Sequence, residues 1–313
     1  MDKLLFLRPL WNMLKESRMK YHCYKGNRNT RKEVCICQID GKMLHGGLTD
    51  RLKSAISLYA FCKSTNFKYE LNFISPFKLQ DYLAPNLYDW IPEQQPSDSK
   101  KVNLMLLLGE QKANRLFHYN GKSELHFYSY MDIIERINKK YRANYNYGEL
   151  FNELFKPTES LQTHLDKAHE IIDGPYISVV FRFQNLLGDF KEYDFSPLDE
   201  DLKLLLINRC IKGLEELAIN NPNHKILITS DSQLFLSKVR EIMPQIYSFP
   251  GNIVHMDTTM DAKPDVYMKS FFDMFLIAGS EHVYCMGTDI MYPSAFPEYA
   301  AKINNIPFTR ILL

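Results

Sequence analysis

Several things are scarce in this sequence, and each shortage closes a class of function. No apolar run among its 313 residues approaches the roughly 20 that a membrane-spanning helix needs, and the longest, KVNLMLLLGE, reads as a buried strand. Net charge is almost absent: 38 basic residues against 37 acidic ones leave +1. The cationic surplus that neutralises nucleic-acid phosphates is therefore missing, and no nucleic-acid partner is expected. The six cysteines (Cys23, Cys35, Cys37, Cys62, Cys210, Cys285) include no C-x-x-C pair. Cys35-x-Cys37 alternates like two residues of one strand, which argues against a zinc site and a disulfide framework. There is no P-loop, no G-x-S-x-G and no H-E-x-x-H, and no internal repeat or low-complexity segment. With no secretory signal, reduced core thiols in a cytoplasmic protein are expected.

What is present suits a globular core. Apolar residues make up 45% of the chain, with 19 Tyr and 20 Phe. At roughly 150 residues per domain the length suggests two domains. The near-neutral total hides an uneven split. Residues 1–32 carry Lys3, Arg8, Lys15, Arg18, Lys20, Lys25, Arg28, Arg31 and Lys32 against Asp2 and Glu16, interleaved with Leu4–Leu7, Leu10, Trp11, Met13 and Leu14. Such a segment can pack on the protein's own body or lie on an anionic membrane, so peripheral contact at the inner face of a membrane is an open expectation.

The pattern along the chain alternates β and α. EVCICQI (33–39) reads as a strand, RLKSAISLYAFCKS as a helix and FKYELNFI (67–74) as a strand, which is the β-loop-α-β unit of a parallel sheet. VNLMLLLG, LFHYN and ELHFYSY are further expected strands, and GELFNELF and SLQTHLDKAHEII expected helices. In the second half YISVVFRF, KILITSD and HVYCMG read as strands, with short ones at IYSF and NIVHM. Ser196-Pro197-Leu198-Asp199 predicts a helix capped by Ser196 and running to about Asn220. SQLFLSKVREI, VYMKSFFDMFLIAGS and SAFPEYAAKIN are further helices. Two such halves give a two-domain α/β architecture with a cleft between them.

In open parallel sheets ligands sit at the carboxyl ends of strands, which singles out four loops. His45-Gly46-Gly47-Leu48-Thr49-Asp50-Arg51 allows close backbone approach to an anion at a helix start, though Gly-Gly turns are also plain structure. Arg182 interrupts the apolar run of YISVVFRF and needs a partner, either an internal carboxylate or a ligand phosphate. Asp189, Glu192 and Asp194 follow it as candidate bases or solvated acids. Asp231 and Ser232 end the next strand and suit either a helix cap or a nucleotide contact. Ser294-Ala295-Phe296 opens a helix whose start can cap itself or meet a phosphate. Asp199-Glu200-Asp201 is a D-x-D, but its place in the first turn of a helix suits the macrodipole better than a metal, and no metal ligands are expected.

Taken together and in this order, the four loops resemble the fucosyltransferase superfamily of α1,2-, α1,6- and protein O-fucosyltransferases. HGGLTDRL is similar to that family's Gly-rich first motif. VVFRF stands where its His-x-Arg-Arg motif ends a strand, although here the histidine position holds Val180 or Phe181 and only one arginine is present. ILITSDS resembles its acidic strand end, and Ser294-Ala295-Phe296 its Ser-x-Phe-Ser segment. The resemblance implies a GT-B-like fold, two Rossmann-type domains facing a central cleft, with residues 1–165 on the acceptor side and 166–313 binding the nucleotide sugar. It implies an inverting, metal-independent transfer of fucose from GDP-fucose to a glycan or lipid-linked glycan in polysaccharide biosynthesis. His45, Gly46, Gly47, Arg182, Asp231, Ser232, Ser294, Ala295 and Phe296 would bind the donor. Asp50 would be the general base, with Asp189 and Glu192 as competitors. The shortened arginine motif leaves two further readings: a catalytically inactive nucleotide-binding partner, or a transferase using another nucleotide sugar. The acceptor region is expected within 76–160, where Tyr82, Tyr88, Trp90, Phe117, Tyr128 and Tyr130 suit either sugar rings or core packing.

Overall fold

A computed structural model describes residues 30–97, 102–190, 196–251, 253–254, 256 and 265–313. The basic segment up to residue 29, Cys23, Glu192 and Asp194 lie outside the described residues. The chain divides into two compact units at Lys156/Pro157.

The first unit is built on a parallel sheet. Strand β1 (Val34–Ile39) is buried at every position, which is why its sequence is almost continuously apolar. Helix α1 (Leu48–Thr65) returns the chain to β2 (Lys68–Phe73) and stops at Asn66, which takes the left-handed conformation that commonly ends helices. β1 and β2 pair in parallel from Val34↔Lys68 to Ile39↔Phe73. Strands β3 (Asn103–Leu107) and β4 (Leu125–Ser129) complete the order β2-β1-β4-β3. Two serines of α1 hold the loop that leaves β4. Ser54 Oγ accepts from Ser129 N (2.9 Å) and Ser57 Oγ from Ile133 N (3.1 Å). Helices α2 (Ile134–Tyr141) and α3 (Tyr147–Leu154) follow, the second capped by Asn146.

The second unit opens with α4 (Glu159–Ile172), capped by Thr158. This helix spans the 165/166 boundary expected from the sequence and lies wholly in the second unit. Strand β5 (Tyr176–Phe181), helix α5 (Glu200–Asn220), strand β6 (Lys225–Ser230) and helix α6 (Gln233–Ile242) come next. Helix α7 (Asp265–Ala278), strand β7 (Val283–Gly287), helix α8 (Phe296–Ile303) and strand β8 (Phe308–Leu312) finish the unit. The four strands are parallel in the order β8-β7-β5-β6. The chain steps from β5 to β6 on one side and then crosses to β7 on the other. Between β5 and β7 the order therefore reverses, and such a switch point is where open α/β sheets hold ligands. A core of Ile177, Val179, Phe181, Phe183, Ile228, Phe235 and Met291 packs α5 and α6 against the sheet.

Four local expectations are corrected. Asp199, not Ser196, caps α5, its side chain accepting from Leu202 N at 2.9 Å. Ser196–Leu198 are held instead as an extended lead-in, with Leu198 N donating to Leu186 O at 2.9 Å. LFHYN forms a helical turn at Asn114–Phe117 rather than a strand, closed by local bonds from His118 N to Arg115 O and from Tyr119 N to Leu116 O. IYSF reduces to a single bridge, Leu227↔Tyr247, and the described part of NIVHM belongs to no strand. β8 carried no signal, because as an edge strand it is largely exposed and its FTRIL mixes polar with apolar residues.

Five cysteines (Cys35, Cys37, Cys62, Cys210, Cys285) are buried free thiols. Tyr82, Trp90 and Tyr128 lie in the core of the first unit, so their rings serve packing. Among the described residues no helix is long and apolar enough to cross a membrane.

A buried ionic knot closes the amino end of the first sheet. Glu124 accepts from Arg31 Nε (2.9 Å), His126 Nε2 (2.7 Å) and Ser97 N (2.8 Å), while Arg31 Nη1 also reaches Glu70 (2.7 Å). Burial by itself would raise the Glu124 carboxyl, but the bonds from His126, Ser97 and Arg31 outweigh it and bring its pKa down to about 2. A carboxylate near 4.3 when unfolded and near 2 when folded adds stability that is fully present above about pH 4.3 and fades as the pH falls toward 2. Glu124→Gln is therefore expected to cost about 3–5 kcal/mol in urea unfolding at pH 7, since it leaves Arg31 short of a buried partner. The variant should also lose part of the wild-type decline in stability between pH 4.3 and 2; an unchanged pH profile would refute this account.

Candidate functional site

In the second unit the site begins with register. Phe181 pairs with Ser230, the last residues of β5 and β6. The next residue of each chain, Arg182 and Asp231, therefore leaves the sheet at the same level. They meet in an ion pair, Arg182 Nη1 to Asp231 Oδ2, at 3.0 Å. The Asp231 side chain is 1% exposed and also accepts from Phe183 N (2.8 Å) and Gln184 N (2.7 Å). Burial raises its proton affinity, and Arg182 and the two N–H groups work against that rise. The Arg182 guanidinium lies 4.5 Å from the centre of the Phe190 ring. Both sides of the arginine are thus defined, and its side chain keeps 17% of its surface open.

The neighbouring candidates are engaged in holding the loop. Ser232 caps α6, its Oγ accepting from Phe235 N at 3.1 Å. Asp189 Oδ2 accepts from Ser232 Oγ (2.9 Å) and Leu234 N (2.8 Å), so this acid anchors the loop after β5 to the start of α6. At the end of β7, Ser294 Oγ accepts from Phe296 N (3.2 Å) and Arg310 Nη2 donates to the Ser294 carbonyl (3.0 Å). Ala295 is the N-cap residue of α8. Thr288, one residue past β7 on the switch-point side, is buried with its hydroxyl lacking a hydrogen-bond partner.

In the first unit the loop from β1 to α1 is fixed by its carbonyls. Tyr130 and Tyr128 hydroxyls donate to Leu44 O and His45 O, and Arg51 Nε donates to Gly46 O at 2.9 Å. In a trans peptide the following N–H points away from its carbonyl. The three bonds therefore fix the peptide planes that lead into the start of the 18-residue α1. Successive N–H groups at a helix start form an anion-binding concavity. His45 is 1% exposed, accepts from Gly41 N at 3.3 Å, and stacks edge-on against Tyr128. Burial, with Arg51 nearby, lowers its pKa to about 2, so the ring is neutral at pH 7.

The two glycines differ. Gly46 has φ +72°, and a Cβ there would sit 2.5 Å from Asp50 Oδ2. Gly47 has φ −73° and ψ 179°, ordinary for any residue, and a Cβ would meet nothing within 4 Å. The fold thus requires glycine at 46 but not at 47. Asp50 is 34% exposed and pairs with Lys53 at 2.7 Å. Among the described residues no group of three or more His, Cys, Asp or Glu could hold a metal ion.

No protein-family model and no curated protein sequence matches the chain. Solved structures do. NodZ α1,6-fucosyltransferase co-crystallised with GDP aligns with TM-score 0.55 and 14% identity over 87% of this chain and 92% of its own. The same enzyme soaked with GDP-fucose gives 0.54 and 14% over 88% and 93%, and NodZ is described from Bradyrhizobium. A mutant of Arabidopsis thaliana FUT1 in complex with GDP gives 0.55 and 11% over 95% of this chain and 73% of that one. This chain has the fold of a fucosyltransferase. Within that GT-B-like α/β fold, two polar side chains beside the four loops carried no sequence signal. Thr288 is a hydroxyl just past a strand end, and Lys203 is a cation inside a helical run.

The glycine contrast makes a stability prediction. Gly46→Ala forces a positive φ on alanine and displaces Asp50, and is expected to cost about 1–3 kcal/mol. Gly47→Ala should stay within about 0.5 kcal/mol of wild type. Thermal or urea unfolding of both variants checks this, and equal losses would refute the geometric distinction.

Proposed function

We propose that the chain is a glycosyltransferase that moves fucose from GDP-fucose to a hydroxyl of a glycan or lipid-linked glycan, inverting the anomeric carbon without a metal. The observation that carries the reading is the Arg182–Asp231 pair at the carboxyl edge of the second sheet, in a fold shared with an enzyme co-crystallised with GDP and soaked with GDP-fucose. In the reaction the acceptor oxygen bonds to C1 of fucose, the bond from C1 to the β-phosphate oxygen breaks, and GDP departs with the electron pair. Negative charge grows on the leaving diphosphate. Fixed donors of the second unit that would meet it are Arg182 and the Ser294 helix start. One well-placed donor of this kind contributes about 2.7–4 kcal/mol to the transition state.

The acceptor proton needs a base. Asp189 is tied to α6 by two hydrogen bonds, whereas Asp50 is partly open and pairs with Lys53 at 2.7 Å. That difference favours Asp50. On this reading the second unit binds the donor and the first receives the acceptor, on the cytoplasmic side of a polysaccharide pathway.

GDP at about 100 times its Kd should stabilise the protein by about 2.7 kcal/mol, with UDP, CMP, ADP and NAD giving no shift and EDTA changing nothing. A shift with NAD or ADP alone would remove the reading. Arg182→Lys keeps a cation beside the buried Asp231 but loses the guanidinium fork. It should stay folded while fucose transfer falls on the order of 100-fold; near-normal transfer would dismiss Arg182 from the donor site. Asp50→Asn should lower kcat by roughly 100-fold or more with GDP affinity unchanged, and an unaffected kcat would point away from Asp50 as base.

A further inference from the structure

The loop after β5 presents one arginine, and the residue that follows it, Phe183, is fully buried in the core. Arg182 also divides itself between any ligand and Asp231. A departing nucleoside diphosphate carries more negative charge than that half-committed guanidinium balances. The structure places a second cation against the same loop. Lys203 stands one turn inside α5, and the lead-in to α5 is bonded to the loop through Leu198 N and Leu186 O (2.9 Å). Its Nζ lies 3.4 Å from the point that a Cβ on Gly188 would occupy. A crossover helix starts where its strand ends, so the first turn of α5 belongs to the carboxyl edge of the sheet, where the Arg182–Asp231 pair lies.

The pairing of Lys203 is uneven. The lysine side chain is 13% exposed, whereas its partner Glu200, at 2.8 Å, is 85% exposed. Packing against the loop therefore holds the ammonium, and the carboxylate comes to it from water. Exposed ion pairs of this kind contribute little, so Glu200 can withdraw at small cost. The other acid of that turn with a described partner, Asp199, is spent on the Leu202 N–H.

We propose that Lys203 is the second cation of the donor site, exchanging Glu200 for a phosphate oxygen when a nucleoside diphosphate binds. This rests on the nucleotide-sugar reading of the site. The test is calorimetric titration of wild type, Lys203→Met and Glu200→Gln with GDP, guanosine and inorganic pyrophosphate. Lys203→Met should weaken GDP and pyrophosphate at least 10-fold and leave guanosine unchanged, and raised salt should narrow the gap between it and wild type. Glu200→Gln should bind GDP as well as wild type or a few-fold better. Lys203→Met binding GDP and pyrophosphate within twofold of wild type overturns the proposal, and so does a Glu200→Gln variant that binds more weakly. The Glu200 arm decides the matter even if Lys203→Met does not fold. Wild type that binds pyrophosphate through Lys203 but not GDP removes the GDP-fucose reading and keeps the cation; wild type that binds neither removes both.

Discussion

Parallel strands in register deliver their next residues to one edge of the sheet, and in the second unit that edge sets Arg182 beside Asp231. Much of the surrounding loop depends on this pair. Asp231, nearly free of solvent, is tolerable only because a guanidinium and two backbone N–H groups share its charge. Those same N–H groups belong to Phe183 and Gln184, so the carboxylate also fixes where the chain goes after β5. Phe190 then closes over the arginine, and Asp189 fastens the far end of the loop to α6. The acids near the arginine thus build the platform that holds its side chain in place.

The first unit reaches a comparable result with different groups. There the backbone is what the side chains hold, because Tyr128, Tyr130 and Arg51 bond three successive carbonyls. Such a backbone is neutral and stays so: His45, the one titratable ring in the loop, is kept uncharged by burial across the physiological range. One unit therefore offers a formal cation and the other offers aligned dipoles. Both are held in place by hydrogen bonds from named side chains.

The alternation of β and α, the parallel pairing of β1 with β2 and the ends of β5, β6 and β7 could all be read from the apolar runs, because buried parallel strands are written in continuous hydrophobic residues. Arg182 was visible as the charge that broke such a run. Its partner was not assignable, because Asp231 lies 49 positions on and only inter-strand register makes the two adjacent. Asp189 and Ser232 could be noticed as polar loop residues, but that they cap one helix together depends on three-dimensional closure of the loop. Lys203 gave no signal, since a cation within a helical sequence looks solvated until its neighbours are known. The edge strand β8 escaped for the opposite reason: with half its surface in water it needs no apolar pattern.

The dependence on register has a consequence for how this chain can change over time. Exchanging one β-branched residue for another inside β5 or β6 keeps every side chain on its face, and the edge pair survives. A single-residue insertion or deletion within either strand does not, because side chains alternate with a period of two. It would carry Arg182 or Asp231 to the opposite face of the sheet and strand a charge in the core. Divergence in these two strands should therefore proceed by substitution alone, with length changes confined to the loops and helices between them.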